Sequence, residues 1–207
     1  MMRKGFDLLR RHFRQGRYLQ IRNLMKVESR TGVILDLGGG PASFFAARFP
    51  RPEQVILLEI NQALACQAKQ KQPALHVIVA DGERLPLADC SIEIIVCNSV
   101  IEHVDHPDAL AAEMRRVGQG YFLQTPCRDF PLETHSFIAM PFYSLIPWMW
   151  LRRLVCKVFK ANFEYLSSVR YLSEQGLRLL FPEAVITHER VLGLKKSFYV
   201  YCLNRNV

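Results

Sequence analysis

Val33-Ile34-Leu35-Asp36-Leu37-Gly38-Gly39-Gly40-Pro41-Ala42 is the stretch whose reading decides the fold. An apolar run of strand length carries an acid near its end, and three glycines follow. Glycine lets the backbone turn sharply and approach a ligand closely, and Ala42–Phe49 beyond the turn is helix-like in composition. The turn alone leaves open a tight connection without a ligand or a dinucleotide loop. The G-x-G-x-x-G spacing of dinucleotide enzymes would need a glycine where Ser43 stands.

The chain on either side supplies more units of the same kind. Val55–Leu58, Leu75–Val79, Ile92–Cys97 and Tyr121–Gln124 are short, nearly continuous apolar runs. Between them, Asn61 can cap a helix that Pro73 stops, and Pro107 with Asp108 fits the first turn of a helix reaching about Val117. Buried strands alternating with helices predict an α/β domain with a parallel sheet covered on both faces. Beyond Pro126, residues 127–147 are loop-like, Trp148–Lys160 has helical spacing, and Ser173 can cap a helix ended by Pro182. Ala184–Glu189 and Phe198–Leu203 read as two closing strands. The first 28 residues read as one helix, or two broken at Gly16.

Polar residues fall where the strands end. Asp36, Glu59, Asp81 and Asn98 follow four successive apolar runs, at the edge where open parallel sheets bind ligands. A carboxylate about 20 residues after a glycine turn, as Glu59 is, can accept both ribose hydroxyls. Asp81 could accept the exocyclic amine of an adenine.

The chain has 207 residues, half of them hydrophobic and 22% charged, which excludes a disordered or collagen-like chain. The expected organisation is a single domain over residues 1–207, with a basic helical arm at 1–30 and an inserted loop and amphipathic helix at 127–160. Six scattered cysteines without a C-x-x-C pair argue against a disulfide framework or a metal site, and a cytoplasmic location with reduced thiols is the expectation. Charge is uneven. Residues 1–30 hold nine bases against two acids, residues 31–137 eight against thirteen, and residues 138–207 ten against four. Two basic ends around an acidic middle suit a polyanionic surface.

The run Leu35-Asp36-Leu37-Gly38-Gly39-Gly40, then Glu59, then Asp81-Gly82-Glu83-Arg84-Leu85-Pro86-Leu87, then Asn98-Ser99-Val100-Ile101-Glu102-His103-Val104 resembles the class I S-adenosylmethionine-dependent methyltransferases. It is similar to their type 11 small-molecule branch, over about residues 31–126. The resemblance implies a Rossmann-like three-layer sandwich with a seven-stranded, mostly parallel sheet whose last strand is antiparallel. It implies S-adenosylmethionine as cofactor and S-adenosylhomocysteine as product. Asp36, Gly38 and Gly40 would hold the methionine end, Glu59 the ribose, Asp81 and Gly82 the adenine, and Asn98 would line the pocket near the sulfonium. Ala42 stands where many relatives have a third glycine.

An alcohol acceptor benefits from a base that removes its proton, and His103 and His135 are the candidates. The other histidines, His12, His76, His106 and His188, read as surface or packing residues. The expected reaction is methylation, at oxygen, of a small or lipid- or saccharide-linked acceptor. A non-catalytic cofactor-binding or scaffold protein of the same fold is the alternative. Nucleic acid is not an expected partner, because Asn98-Ser99-Val100-Ile101 lacks the Asn/Asp-Pro-Pro-aromatic signature of base-amine methylation. Residues 138–160 are expected to touch an anionic membrane surface. Their uncharged, aromatic start leads into a helix with Arg152, Arg153, Lys157 and Lys160 on one arc and Leu151, Leu154, Val155, Val158 and Phe159 opposite. A lid over the acceptor pocket is the other reading of that helix.

Overall fold

The structure, a computed structural model, describes residues 2–133, 140–141, 146–159 and 163–203. Alternation along the central strand β1 (Ile34–Leu37) shows why the chain is layered. Leu35 and Leu37 face one core and Ile34 faces the other, so helices must cover both sides of the sheet. β1 lies between β2 (Val55–Glu59) and β4 (Ile92–Asn98), parallel to both. β3 (His76–Val79) and β5 (Gly118–Pro126) extend the parallel pairing outward. A two-residue ribbon, β6 (Leu132–Glu133) with β7 (Met140–Pro141), stands apart from the sheet. The closing hairpin β8 (Val185–Val191) and β9 (Leu194–Cys202) completes the order β3-β2-β1-β4-β5-β9-β8, with β9 antiparallel to both neighbours. This is the expected seven-stranded Rossmann-like sheet.

One face of the sheet is covered by α1 (Met2–Met25), residues 44–49 and α2 (Gln62–Lys71). Tyr18, Ile21 and Met25 of α1 are buried beside Phe45, Phe49 and Phe122. α1 runs unbroken through Gly16 and packs into the core, as its apolar stripe dictates. The other face takes α3 (Pro107–Val117), through Leu110, Ala111, Met114 and Val117, and α6 (Glu174–Leu180), through Leu177. The expected caps form: Asn61 accepts from Leu64 N at 3.2 Å, and Ser173 Oγ from Gly176 N at 3.0 Å. Between the ribbon and α6, α4 (Met149–Phe159) and α5 (Phe163–Ser168) pack on each other in a small separate cluster around Cys156 and Leu166.

The helix expected over 42–49 is a 3₁₀ turn at Gly40–Ala42 followed by successive turns. Ser43 sits at φ +40°, where its hydroxyl donates to Asp36, and Phe45 N donates to the same carboxylate oxygen. Phe45 N and Ala46 N bond to the side chains of Asp36 and Ser43, and beyond them the ladder is mixed. Ala47 N reaches Ser43 O and Phe49 N reaches Phe45 O, but Arg48 N also turns to Phe45 O, so regular α-helix does not form.

Candidate active site

The strand ends meet at one edge, and the glycine turn closes onto it. Gly38 and Gly40 adopt φ of +68° and +70°, which only glycine takes without strain. Gly38 N donates to Leu58 O at 2.8 Å, and a Cβ added at Gly38 would lie 2.6 Å from Val100 Cγ2. The loop after β4 therefore packs directly on the turn after β1.

Asp36 is buried beneath this turn. Its Oδ2 holds Ser43 and Phe45, while its Oδ1 is buried with no hydrogen-bond partner. Burial pushes its carboxyl up to about 6 against the pull of those two donors, and the nearby Glu59 charge adds to the rise. Glu59 ties the edge together. Its Oε2 accepts from Gly40 N at 3.2 Å and its Oε1 from Asn61 N at 3.1 Å. Each oxygen keeps further lone-pair capacity for a hydroxyl donor.

Asp81 is exposed beyond β3, with Oδ1 accepting from Glu83 N at 2.9 Å. Glu83 Oε1 accepts from Asp105 N and His106 N, both at 2.9 Å, which fastens the loop after β3 to the loop after β4. Gly82 sits against Leu110 and Leu37, where a Cβ would be 3.0 Å and 3.3 Å from their methyl carbons. The structure thus brings Asp36, Gly38, Gly40, Glu59, Asp81, Gly82 and Asn98 to one edge.

His103 is half-buried at the end of the 3₁₀ turn Ile101–His103, just past β4. Its neighbour Glu102 is fully buried and accepts from Thr125 Oγ1 at 3.1 Å, so it anchors this turn to β5. His135 lies outside the described residues. Among the described residues no group of three metal-ligating side chains comes together.

Sequence reasoning missed the polar group beside Asn98. Arg17 of α1 donates from Nη1 to Asn98 Oδ1 at 3.0 Å and lies 3.7 Å from Glu189 of β8. The β8–β9 register slips between Glu189 and Arg190, leaving Lys196 without an opposite residue. Such a bulge re-aims a side chain. Lys196 is buried against the Phe13 ring, 4.0 Å from its centroid, and its Nζ donates to Glu189 at 2.8 Å. Burial lowers its pKa to about 8, and the Arg17 charge adds to that effect. Tyr199 belongs to the same group. Its hydroxyl is held above the usual range by burial and by Glu189, against the pull of Arg17. In the sequence Arg17 is one of nine bases in a basic segment, and nothing in that pattern singles it out.

Residues 35–124 match the family model described as a methyltransferase domain. Over these residues the chain is similar to a methyltransferase domain. An uncharacterised methyltransferase of Mycobacterium sp. (strain KMS) is 34% identical over 84 residues, covering 41% of this chain and 33% of that protein. The match thus spans about a third of the length of that curated relative. Among solved structures, geranyl diphosphate C-methyltransferase of Streptomyces coelicolor A3(2), crystallised with geranyl diphosphate and S-adenosylhomocysteine, superposes with a TM-score of 0.60 at 12% identity. That comparison covers 96% of this chain and 82% of that one. The N-terminal domain of EvdMO1 with S-adenosylhomocysteine bound gives a TM-score of 0.57 at 20% identity, covering 93% and 81%. The fold extends over nearly the whole chain, whereas the methyltransferase family match stops at residue 124, short of the closing hairpin.

Proposed function

We propose that this chain transfers a methyl group from S-adenosylmethionine to oxygen of a small or lipid- or saccharide-linked acceptor. The observation that carries the reading is Asp36. A buried carboxylate oxygen without a partner, beneath a glycine turn at the sheet edge, fits the ammonium of the cofactor's methionine end. Gly38 and Gly40 would let the backbone approach that end, Glu59 would accept the ribose hydroxyls, and Asp81 with Gly82 would take the adenine. Asn98, its Oδ1 held by Arg17, would line the pocket near the sulfonium. When bound, the cofactor supplies a methyl group that is already activated.

The chain's own task is then to align the acceptor oxygen in line with that methyl and to exclude water. A general base accepts the acceptor's proton, and His103 and His135 are the residues proposed for it. The neighbours' ligands suggest which acceptors to screen. One was crystallised with geranyl diphosphate, and the EvdMO1 domain also in the presence of D-fucose. A lipid-linked acceptor is presented at a bilayer, so the reading includes a peripheral contact with an anionic membrane surface.

Titration calorimetry with S-adenosylhomocysteine tests the cofactor assignment. Glu59→Ala should weaken binding by roughly 1.5–3 kcal/mol, the loss of hydrogen bonds to a charged acceptor. No heat of binding at millimolar cofactor would overturn the assignment. Release of S-adenosylhomocysteine that depends on an added sugar, quinone or prenyl acceptor separates an enzyme from a cofactor-binding scaffold of the same fold.

A further inference from the structure

The α4 helix presents a face that the domain does not use. Its inward side carries Val155 and Cys156, with Cys156 buried and Val155 packed in the same small cluster as Leu166 and Phe163 of α5. Its outward side carries Trp150, Leu154 and Val158, spaced four residues apart on one row and 67%, 50% and 70% exposed. Trp148 and Met149 at the start of the helix are exposed as well. Exposed apolar side chains scattered singly need no explanation, but three on one row, with two more at the helix start, do.

Arg153 and Lys157 form the row beside this stripe and are also exposed. Arg153 also lies 5.0 Å from the centre of the Phe163 ring, on the side of the stripe that borders α5. The structure corrects the arc read from sequence in two places. Arg152 turns to the helix start, where its Nε donates to Ile146 O at 2.6 Å, and Val155 packs into the cluster against α5. Lys160 lies outside the described residues. What faces outward is therefore an apolar row edged by cations, with no acid anywhere in Met149–Phe159.

We infer that the outward face of α4 is a docking surface for an anionic lipid bilayer, with Trp148 and Trp150 in the headgroup layer and Arg153 and Lys157 against lipid phosphates. This rests on the proposed reaction only in supplying a reason for the contact, a lipid-linked acceptor. Charge complementarity selects the occupant. A second copy meeting this face across a two-fold axis would set Arg153 and Lys157 of one molecule against those of the other, whereas an anionic surface neutralises them. Tryptophan combines an apolar body with a polar N–H, which suits it to the interface. α4 is too short to cross the bilayer, and no described helix is long and apolar enough to do so.

Trp148 and Trp150 are the chain's two tryptophans, so intrinsic tryptophan emission reports on this face and nothing else. The experiment adds phosphatidylcholine vesicles, with and without phosphatidylserine, to the full chain. With phosphatidylserine present, emission should shift to the blue and doxyl-labelled acyl chains should quench it. Arg153→Gln with Lys157→Gln should lower partitioning about 25-fold, because each basic residue near such a surface contributes about 1 kcal/mol. Leu154→Ser with Val158→Ser keeps both reporters and should lower it by about tenfold or more. S-adenosylhomocysteine affinity, measured on the same preparations, shows that the variants are folded and tests the cofactor assignment separately. Three outcomes overturn the inference: no shift with either vesicle, an equal shift with both, or a shift that follows protein concentration without lipid and so reveals self-association.

Discussion

The two halves of the sheet edge are built differently. On the side of β1, β2 and β3 the polar groups are held mostly by main chain: Asp36 by Phe45 N beside the Ser43 hydroxyl, Glu59 by Gly40 N and Asn61 N, Asp81 by Glu83 N. On the side of β4, β5 and β9 they are held by one another, as Arg17 meets Asn98 and Glu189, and Glu189 meets Lys196. The first side lies within residues 35–124, which match the family model. Of the second, Arg17, Glu189 and Lys196 lie outside that match. A site fixed by backbone amides is hard to vary one residue at a time, while a network of side chains can be rewired by single substitutions.

The largest effect that would sharpen this contrast is kinetic. His103→Ala should lower turnover about 10²- to 10⁴-fold on an alcohol acceptor while leaving S-adenosylhomocysteine affinity near wild type. Turnover unchanged in both this variant and His135→Ala would leave alignment alone as the catalytic device. Next in size is Gly38→Ala. A left-handed φ and a Cβ 2.6 Å from Val100 should together cost roughly 2–5 kcal/mol in denaturant unfolding. A loss below about 1 kcal/mol would mean that the turn is not locked to the β4 loop.

Asp36 gives a pH signature of somewhat smaller size. The folded state raises its pKa to about 6, so its contribution to stability is fully present below its unfolded value, near 4, and is lost as pH rises through about 6. Stability should fall by up to about 3 kcal/mol across that window relative to Asp36→Asn, which does not titrate. Affinity for the cofactor should move the opposite way and tighten as Asp36 ionises. Parallel pH profiles for Asp36→Asn and wild type would remove Asp36 from the cofactor assignment. The smallest effect probes the link between the halves. Arg17→Met removes a donor from Asn98 and a cation from the half-buried Glu189, and should cost about 1–2 kcal/mol by thermal or denaturant unfolding. Unchanged stability would show the two halves to be independent at this point.

Much of the β1, β2 and β3 side was legible in the chain because its signals are local. Apolar runs mark the strands, prolines and caps mark the helices, and an acid sits at or near the end of each strand's apolar run, as Asp36 and Glu59 do in β1 and β2. One local reading failed. Residues 42–49 have helical composition, yet they form successive turns, with Ser43 and Phe45 tied to the Asp36 side chain and only scattered i→i−4 bonds beyond. The β4, β5 and β9 side was less legible because its partners are distant. Arg17 and Asn98 are 81 residues apart, and no periodicity connects them.

By itself the sequence determined the order of elements, the parallel sheet with its two covered faces, and the polar edge running from Asp36 to Asn98. These follow from hydrophobic period and from glycine and proline chemistry, which act over a few residues. Tertiary structure alone decided that α1 joins the core, that a slip in the last hairpin turns Lys196 inward to Glu189, and that α4 hides Val155 while exposing Trp150, Leu154 and Val158. Burial depends on what else reaches the same surface, and a helix's apolar stripe names a face without naming the element that covers it.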